Sequence, residues 1–150
     1  MSRFAKLDDL KPLVGTELAC SDWIDIHQSR IDAFAAATED RQWIHMDPAR
    51  AAAGPFGRTV AHGFLTLSLL PHFFESGFAI DDVRMVLNYG LNKVRFPSPV
   101  PVDSRLRARF TLQAYEELPE GAQLTVLVQV EREGASKPVC VAESLMRQYR

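Results

Sequence analysis

Residues 63–74 form the most apolar segment of the chain, and they restrict the fold more than any other stretch. Read as a helix, the segment is apolar on most sides, which is typical of a helix buried in a core. It is too short and too often interrupted by polar residues to span a bilayer. The segment therefore predicts a long central helix that Pro71 kinks or divides and that Gly77 ends.

The second half of the chain predicts the strands that would cover this helix. Leu124, Val126, Val128 and Val130 alternate with more polar positions. This two-residue period is typical of a strand in a sheet that has one face more buried than the other. Short turns at residues 119–121 and 133–134 indicate antiparallel hairpins, and the proline-rich residues 97–101 form a stiff connection. The predicted strands cover residues 16–23, 83–96, 104–117, 123–133 and 138–149. We expect an α+β fold in which an antiparallel sheet of about five strands wraps around the central helix.

Two shorter helices are predicted before the central one. Asp25 and Gln28 have the spacing of a capping box, which predicts a helix that starts there and continues to about residue 38. Asp47 and Pro48 suit the cap and the first position of a second helix, which ends before Gly54.

Composition limits the functional classes. A chain of 150 residues with 47% hydrophobic and 24% charged residues predicts one globular domain over residues 1–150. Its net charge of −2 and pI near 6.1 argue against nucleic acid or a membrane surface as a partner. Cys20 and Cys140 form no CxxC motif and suit buried thiols in a reducing compartment. With a polar N-terminus unlike a signal peptide, we expect a cytoplasmic protein.

The polar stretch at residues 37–48 is the first candidate for chemistry. Asp40 and His45 lie five residues apart across an irregular turn, where a carboxylate and an imidazole can hold one water between them. Histidine has its pKa near neutrality and can accept a proton from such a water. The same spacing also suits a structural pair, an aspartate that caps or forms an ion pair and a histidine that merely satisfies a loop. Glu39 has no assigned role, and Asp47 is expected to be a helix cap.

His62 and Gly63 are the second candidate. A glycine at the start of a buried helix presents its N–H at the positive end of the helix dipole, where it can polarise a carbonyl. The alternative is a glycine required only for close packing. His45, Asp47 and His62 match no established metal-ligand spacing, so we expect no metal and no cofactor.

Together the two elements resemble the MaoC-like family of (R)-specific enoyl-CoA hydratases. The family pattern is Asp-x-Asn-Pro-apolar-His-x-Asp, then an alanine, and later His-Gly at the start of the central helix. Residues 88–97 also resemble the family's strand after the helix, so the resemblance covers most of the chain. The matching positions here are Asp40, Gln42, Trp43, Ile44, His45, Asp47, Ala51, His62 and Gly63.

This chain departs from the family pattern at two places. Gln42–Trp43 replaces Asn-Pro, a variant of the branch that includes nodulation protein N-like proteins. The glutamine keeps the amide but adds a methylene, so a hydrogen bond that shapes the turn would have an altered reach. Pro71 stands where some members carry a serine, so this chain has no hydroxyl at that position.

The resemblance implies a hot-dog fold and the reversible syn addition of water to a trans-2-enoyl-CoA, giving an (R)-3-hydroxyacyl-CoA in fatty acid metabolism. Asp40 and His45 would be the catalytic pair on one water. The Gly63 N–H would donate to the thioester carbonyl, and Gln42 and His62 would help to bind substrate. The partners implied are an acyl-CoA or an acyl carrier protein and a second copy of the chain in a homodimer, with CoA belonging to the substrate.

Two other functions stay open from the sequence. A hot-dog acyl-CoA thioesterase would need its base or nucleophile at the thioester carbon, and a non-catalytic acyl-CoA or acyl-carrier binding module would bind without turnover. Further candidates are basic residues that could meet CoA phosphates and a strand asparagine that could face the site. These candidates are Arg58, Asn88, Lys93 and Arg95.

Overall fold

The computed structural model describes residues 1–150 and is built on a six-stranded antiparallel sheet that packs against two consecutive helices. A 3-10 helix covers Leu7–Leu13. The helices are α1 (Gln28–Thr38), α2 (Trp43–Met46), α3 (Pro48–Ala52), α4 (Gly63–Ser68) and α5 (Leu70–Gly77). The strands are β1 (Ser2–Phe4), β2 (Glu17–Cys20), β3 (Ile24–Ile26), β4 (Phe78–Ile80), β5 (Met85–Arg95), β6 (Ser104–Leu118), β7 (Gly121–Arg132) and β8 (Cys140–Tyr149).

The main sheet has the strand order β2-β6-β7-β8-β5, and β3 pairs with β6 further along the same edge as β2. The predicted hairpins are confirmed: Leu118 pairs with Gly121 across a two-residue turn, and β7 pairs with β8 in antiparallel register. A second, two-stranded sheet joins β1 to β4 in parallel. These two strands have three residues each, too few to show a period in the sequence.

The core lies between the sheet and the helix pair. Every second residue is buried from Leu106 to Leu112 in β6, from Ala122 to Val130 in β7 and from Cys140 to Gln148 in β8, and Phe73 and Phe74 of α5 meet this face. Phe74 stacks on Phe110 of β6 with ring centroids 4.6 Å apart. Burying a side chain of this size contributes about 1.5–3 kcal/mol, so this layer fixes the helix pair on the sheet.

The central helix is two helices rather than one long one. The Leu69 N–H bonds to the Thr66 carbonyl at 3.2 Å, the shorter spacing of a tightened turn. Pro71 has no N–H to donate to the Leu67 carbonyl, so the α-helical ladder breaks in this region. The division predicted from Pro71 is therefore found, two residues earlier, and Gly77 is the last helical residue as expected.

The capping box predicted at Asp25 is wrong. Asp25 lies in β3 opposite Arg105, and His27 is the residue that precedes α1. Ile26 is fully buried, so the alternation of a short strand prevails over the cap signal. The Asp47 cap is confirmed, because its carboxylate accepts the Arg50 N–H at 3.0 Å.

None of the helices has the length and apolar character required to cross a membrane.

Candidate active site

His45 is held in a single protonation form by its surroundings. It lies in the one-turn helix α2, its side chain is buried, and its Nδ1 is 2.6 Å from the Val60 carbonyl oxygen. Because a carbonyl oxygen only accepts, Nδ1 must carry the hydrogen, and Nε2 keeps its lone pair. His45 therefore presents a basic nitrogen away from Val60.

Burial lowers the pKa of His45 below its usual 6.5, and the neighbouring His62 lowers it further. The hydrogen bond to Val60 and the nearby Asp40 act in the opposite direction without reversing the shift. Desolvation disfavours the imidazolium form of a buried histidine. His45 is thus neutral near pH 7 and able to take up a proton.

His62 joins the two halves of the site. Its ring stacks on the His45 ring with centroids 3.8 Å apart and planes 24° from parallel. Its Nε2–H donates to the backbone carbonyl of Asp40 at 2.9 Å, while its Nδ1 is enclosed and has no partner. The sequence assigned His62 to substrate binding, whereas its contacts position Asp40 and His45.

The Asp40 side chain comes next to these rings through a sharp turn after α1. Glu39, without a role in the sequence argument, ends α1 in the left-handed conformation with φ 63° and reverses the chain. The Asp40 carboxylate then accepts the Gln42 N–H at 3.4 Å. An oxygen of Asp40 and ring nitrogens of His45 and His62 all lie within 4.8 Å of one another. That spacing leaves room for one water between the Asp40 carboxylate and the His45 ring.

Asp40, His45 and His62 are also the three side chains of this site that could ligate a metal ion. Each histidine already uses one nitrogen to donate to a carbonyl oxygen. The two rings lie in nearly parallel planes with centroids 3.8 Å apart, so a metal ion in the plane of one ring would lie out of the plane of the other. The geometry favours proton transfer over coordination.

Gly63 is the first residue of α4, so its N–H belongs to the turn whose donors have no acceptor within the helix. A Cβ at this position would lie 3.0 Å from Cδ2 of Phe96, closer than carbon atoms normally pack. The free donor and the close packing therefore coexist at one residue. A cavity of about 280 Å³ lies beside it, with Thr66 and Phe96 in its lining.

Gln42 and Trp43 shape the turn that carries the site. Gln42 precedes α2 as its cap and has an exposed side chain, so its contact with Asp40 is made by the backbone. Trp43 packs against Gly54, where a Cβ would lie 3.0 Å from the indole, and Arg50 stacks on the same ring at 4.4 Å. The tryptophan thus holds α2 against α3 where the family pattern has a proline.

Gln28 is a site residue that the sequence argument missed. From α1 its amide nitrogen donates to the His45 backbone carbonyl at 2.8 Å, and its amide oxygen accepts the Thr59 hydroxyl at 2.6 Å. One side chain therefore links α1, α2 and the segment before α4. Its position three residues before the fully buried Ile31, on the inner face of α1, is the signal that could have found it.

The remaining candidates are not brought to the Asp40–His45 pair. Lys93 and Arg95 are exposed at the end of β5, and Arg58 is exposed in the loop after α3. Asn88 lies on β5 and lines cavities further along the helix pair, together with Pro71.

Comparisons with known proteins identify the family of this chain. The family described as the MaoC like domain matches residues 9–133. The 3-hydroxyacyl-thioester dehydratase Z of Mycobacterium tuberculosis is 52% identical over 148 residues, covering 98% of each chain. Nodulation protein N of Rhizobium leguminosarum bv. viciae is 48% identical over 141 residues, covering 91% of this chain and 86% of the relative.

Solved structures show the same hot-dog architecture. The unliganded R-hydratase PhaJ1 from Pseudomonas aeruginosa superposes with a TM-score of 0.74 at 24% identity, over 91% of this chain and 82% of that one. The MaoC-like dehydratase from Rhodospirillum rubrum gives 0.78 at 22% identity, over 97% of both chains. The family match spans most of the chain and the relatives cover nearly all of it, so the chain belongs to the MaoC-like family and is a hydro-lyase of the dehydratase and hydratase type.

Proposed function

We propose that this protein is an (R)-specific hydratase and dehydratase that interconverts trans-2-enoyl-CoA and (R)-3-hydroxyacyl-CoA. One observation carries the proposal: the Asp40 carboxylate and the ring nitrogens of His45 and His62 converge within 4.8 Å, next to the first turn of α4. The relative named 3-hydroxyacyl-thioester dehydratase Z supports a 3-hydroxyacyl thioester as the substrate of the dehydration direction.

The hydration step follows from the protonation form of His45. Its free Nε2 takes a proton from the water as the water oxygen bonds to Cβ of the enoyl group. The proton on His45 then passes to the Asp40 carboxylate, which delivers it to Cα, so the pair regains its starting form. One water is consumed, and its oxygen and both of its hydrogens end up in the product.

The Gly63 N–H would stabilise the charge that develops on the thioester oxygen during this step. Electron density moves from the double bond to that oxygen as Cβ is attacked. A donor fixed in the first turn of α4 is already oriented and needs no reorganisation. This donor also makes Cβ more electrophilic, which is why Gly63 and the Asp40–His45 pair belong to one reaction.

The assembly we propose is a homodimer formed through β5. This strand lies at one edge of the sheet, and its residues from Met85 to Lys93 are all exposed. Among them are large apolar side chains, with Met85 49%, Leu87 46% and Tyr89 56% exposed. An apolar edge strand offers unpaired backbone groups as well as surface to bury, and a second copy would cover both.

Single substitutions at the catalytic pair test the function. Asp40→Asn and His45→Asn should each lower kcat/KM for crotonyl-CoA hydration by about 10²–10⁴-fold, the usual worth of a general acid or base. Asp47→Asn is the matched control, because asparagine caps helices as well as aspartate and this residue lies outside the pair. Chiral analysis of the product tests the (R) assignment.

Each competing result has its own meaning in that assay. Hydration that survives both substitutions would remove Asp40 and His45 from the mechanism. Release of free thiol without loss of the enoyl absorbance would identify a thioesterase. Binding of the thioester with no turnover by the unmodified protein would identify a binding module.

A further inference from the structure

The lining of the cavity beside Gly63 reaches Thr66 on α4, and two more cavities lie from Leu67 onward along the seam between the helix pair and the paired strands β5 and β8. The first, of about 400 Å³, is lined by Leu67, Pro71 and Ser144 among others. The second, of about 300 Å³, is lined by Phe74 and Gln148 among others and shares Pro71 with the first. The shared proline makes these two cavities neighbours.

The three cavities follow one another in the same order on both walls. On the strand side the lining residues are Val139 just before β8, then Ser144 and Gln148 of β8, while the helix wall proceeds from Gly63 to Phe74. Measured along the successive axes of α4 and α5 at a rise of 1.5 Å per residue, the helix wall from Gly63 to Phe74 is about 16 Å long. The seam therefore has the direction and length to hold an acyl chain whose thioester lies at Gly63.

The inner wall of this seam carries two polar side chains, although a plain alkyl chain would require no polar group there. Ser144 is 4% and Gln148 2% exposed, and they alternate along β8 with the apolar Ala142 and Met146. Neither side chain takes part in any of the side-chain hydrogen bonds of the molecule. The fully enclosed side-chain atoms without a partner lie elsewhere, on His62 and Arg132. The Ser144 hydroxyl and the Gln148 amide therefore reach the cavities that they line.

Such groups have a consequence for ligand choice. A buried hydroxyl or amide that meets only methylene groups loses its hydrogen bonds to water and gains none. A site built to hydrogen-bond a substrate hydroxyl discriminates by orders of magnitude against the analogue that lacks it. Ser144 and Gln148 each offer a donor and an acceptor, which suits a hydroxyl or a keto oxygen.

We propose that the preferred substrate of this enzyme carries an oxygen substituent, a hydroxyl or a keto group, on its acyl chain beyond the reacting double bond, and that Ser144 and Gln148 bind it. This inference rests on the proposed function and names the substrate class of the same site. Asn88, which lines both of the further cavities from β5, adds a third polar side chain opposite β8.

The test compares two trans-2-enoyl-CoA substrates of equal length, about twelve carbons to match the ~16 Å helix wall, one plain and one hydroxylated near its tail. We expect kcat/KM to be at least about tenfold higher for the hydroxylated one. Gln148→Leu and the smaller change Ser144→Ala should each lower this ratio toward one. Gln129→Leu, the same change on the exposed outer face of β7, is the matched control and should keep it. Circular dichroism melting curves identify any variant that fails to fold.

Three results would overturn the inference. The first is a preference for the plain chain. The second is a ratio that neither Ser144→Ala nor Gln148→Leu changes. The third is a shift in the monomer–dimer equilibrium of these variants without a change in the ratio, which would assign the polar groups to a second copy of the chain.

Crotonyl-CoA separates the two hypotheses, since its acyl chain ends before the further cavities. Absence of crotonyl-CoA hydration in the unmodified protein counts against the proposed function itself. Hydration of crotonyl-CoA without the expected preference among the longer substrates counts against the oxygen substituent alone.

Discussion

Replacing Gly63 with alanine tests whether the packing of Phe96 against the start of α4 sets the position of the Gly63 N–H. The added Cβ would lie 3.0–3.1 Å from Cγ, Cδ2 and Cε2 of the Phe96 ring. Carbon atoms pack best at about 3.5–4.0 Å, so the ring or the helix end must move by roughly 0.5 Å. The backbone conformation is helical, so the substitution introduces no other strain.

The magnitude follows from this displacement. Overpacking costs about 1–3 kcal/mol, and Phe96 is 41% exposed and can partly move aside, so we expect a loss of stability near the lower figure. For a chain of this size about 1 kcal/mol lowers the melting temperature by roughly 2–4 °C. Misplacing a catalytic group by about 1 Å can cost about 10²-fold, so we expect kcat for enoyl-CoA hydration to fall by about 10- to 100-fold.

The measurement is a double-mutant cycle with Phe96→Ala, read by steady-state hydration kinetics and by melting temperature. Removing the ring makes room for the new methyl, so the double variant should match Phe96→Ala alone, with a coupling of at least about 1 kcal/mol. If the loss in the double variant equals the sum of the losses in the two single variants, the reasoning is refuted, because the alanine then acts independently of Phe96.

Four further predictions follow from the His45 environment, from Gln28 and from Gly77. The kcat/KM for hydration should fall on the acid side with a midpoint below pH 6.5, because burial lowers the pKa of His45 and only the neutral ring accepts a proton; a midpoint above 6.5 would contradict that environment. Because the pKa of His45 is lower in the folded protein than in the unfolded chain, the unfolded chain binds the proton more tightly. The stability should therefore fall as the pH decreases from 6.5 toward the folded pKa of His45, and melting temperatures measured over this pH range test it. Gln28→Leu should lower kcat by at least about tenfold with a modest fall in melting temperature, because two partly buried hydrogen bonds are lost, one of them to the His45 backbone carbonyl; unchanged kinetics would remove Gln28 from the site. Gly77→Ala should destabilise the fold by about 1–3 kcal/mol in urea unfolding, because its Cβ would overlap the buried Phe110 ring, and an unchanged midpoint would show that the helix end moves freely.

The long strands could be predicted because each is governed by one physical signal. In β7, inward valines alternate with polar positions over twelve residues, and the two-residue turn before Gly121 sets the hairpin register. The short elements compete with other signals. Asp25 and Gln28 have the spacing of a helix start, but the apolar residues on either side of Asp25 extend the ladder on β6. Three residues are too few to reveal that alternation in advance.

Asp40, His45, His62 and Gly63 could be named from the sequence as candidates, but Gln28 and the contacts among these residues could not. Asp40 and His45 lie close together as their spacing suggested. The stack of His62 on His45 and the bond from Gln28 to the His45 carbonyl join residues 17 apart, a distance over which no local period operates. Such contacts depend on how α1 and α4 are placed by the sheet, which the sequence pattern leaves open.

The parallel pairing of β1 with β4 has a consequence for the order in which the molecule assembles. Strands β6, β7 and β8 are joined by short connections, so little chain entropy is lost when they pair. The pairing of Ser2 with Phe78 instead closes a loop that contains most of the N-terminal half of the chain, and its entropic cost is larger. The helices that carry Asp40, His45 and Gly63 all lie within that long loop. We therefore expect the helices that carry these residues to be enclosed after β6, β7 and β8 have paired during folding.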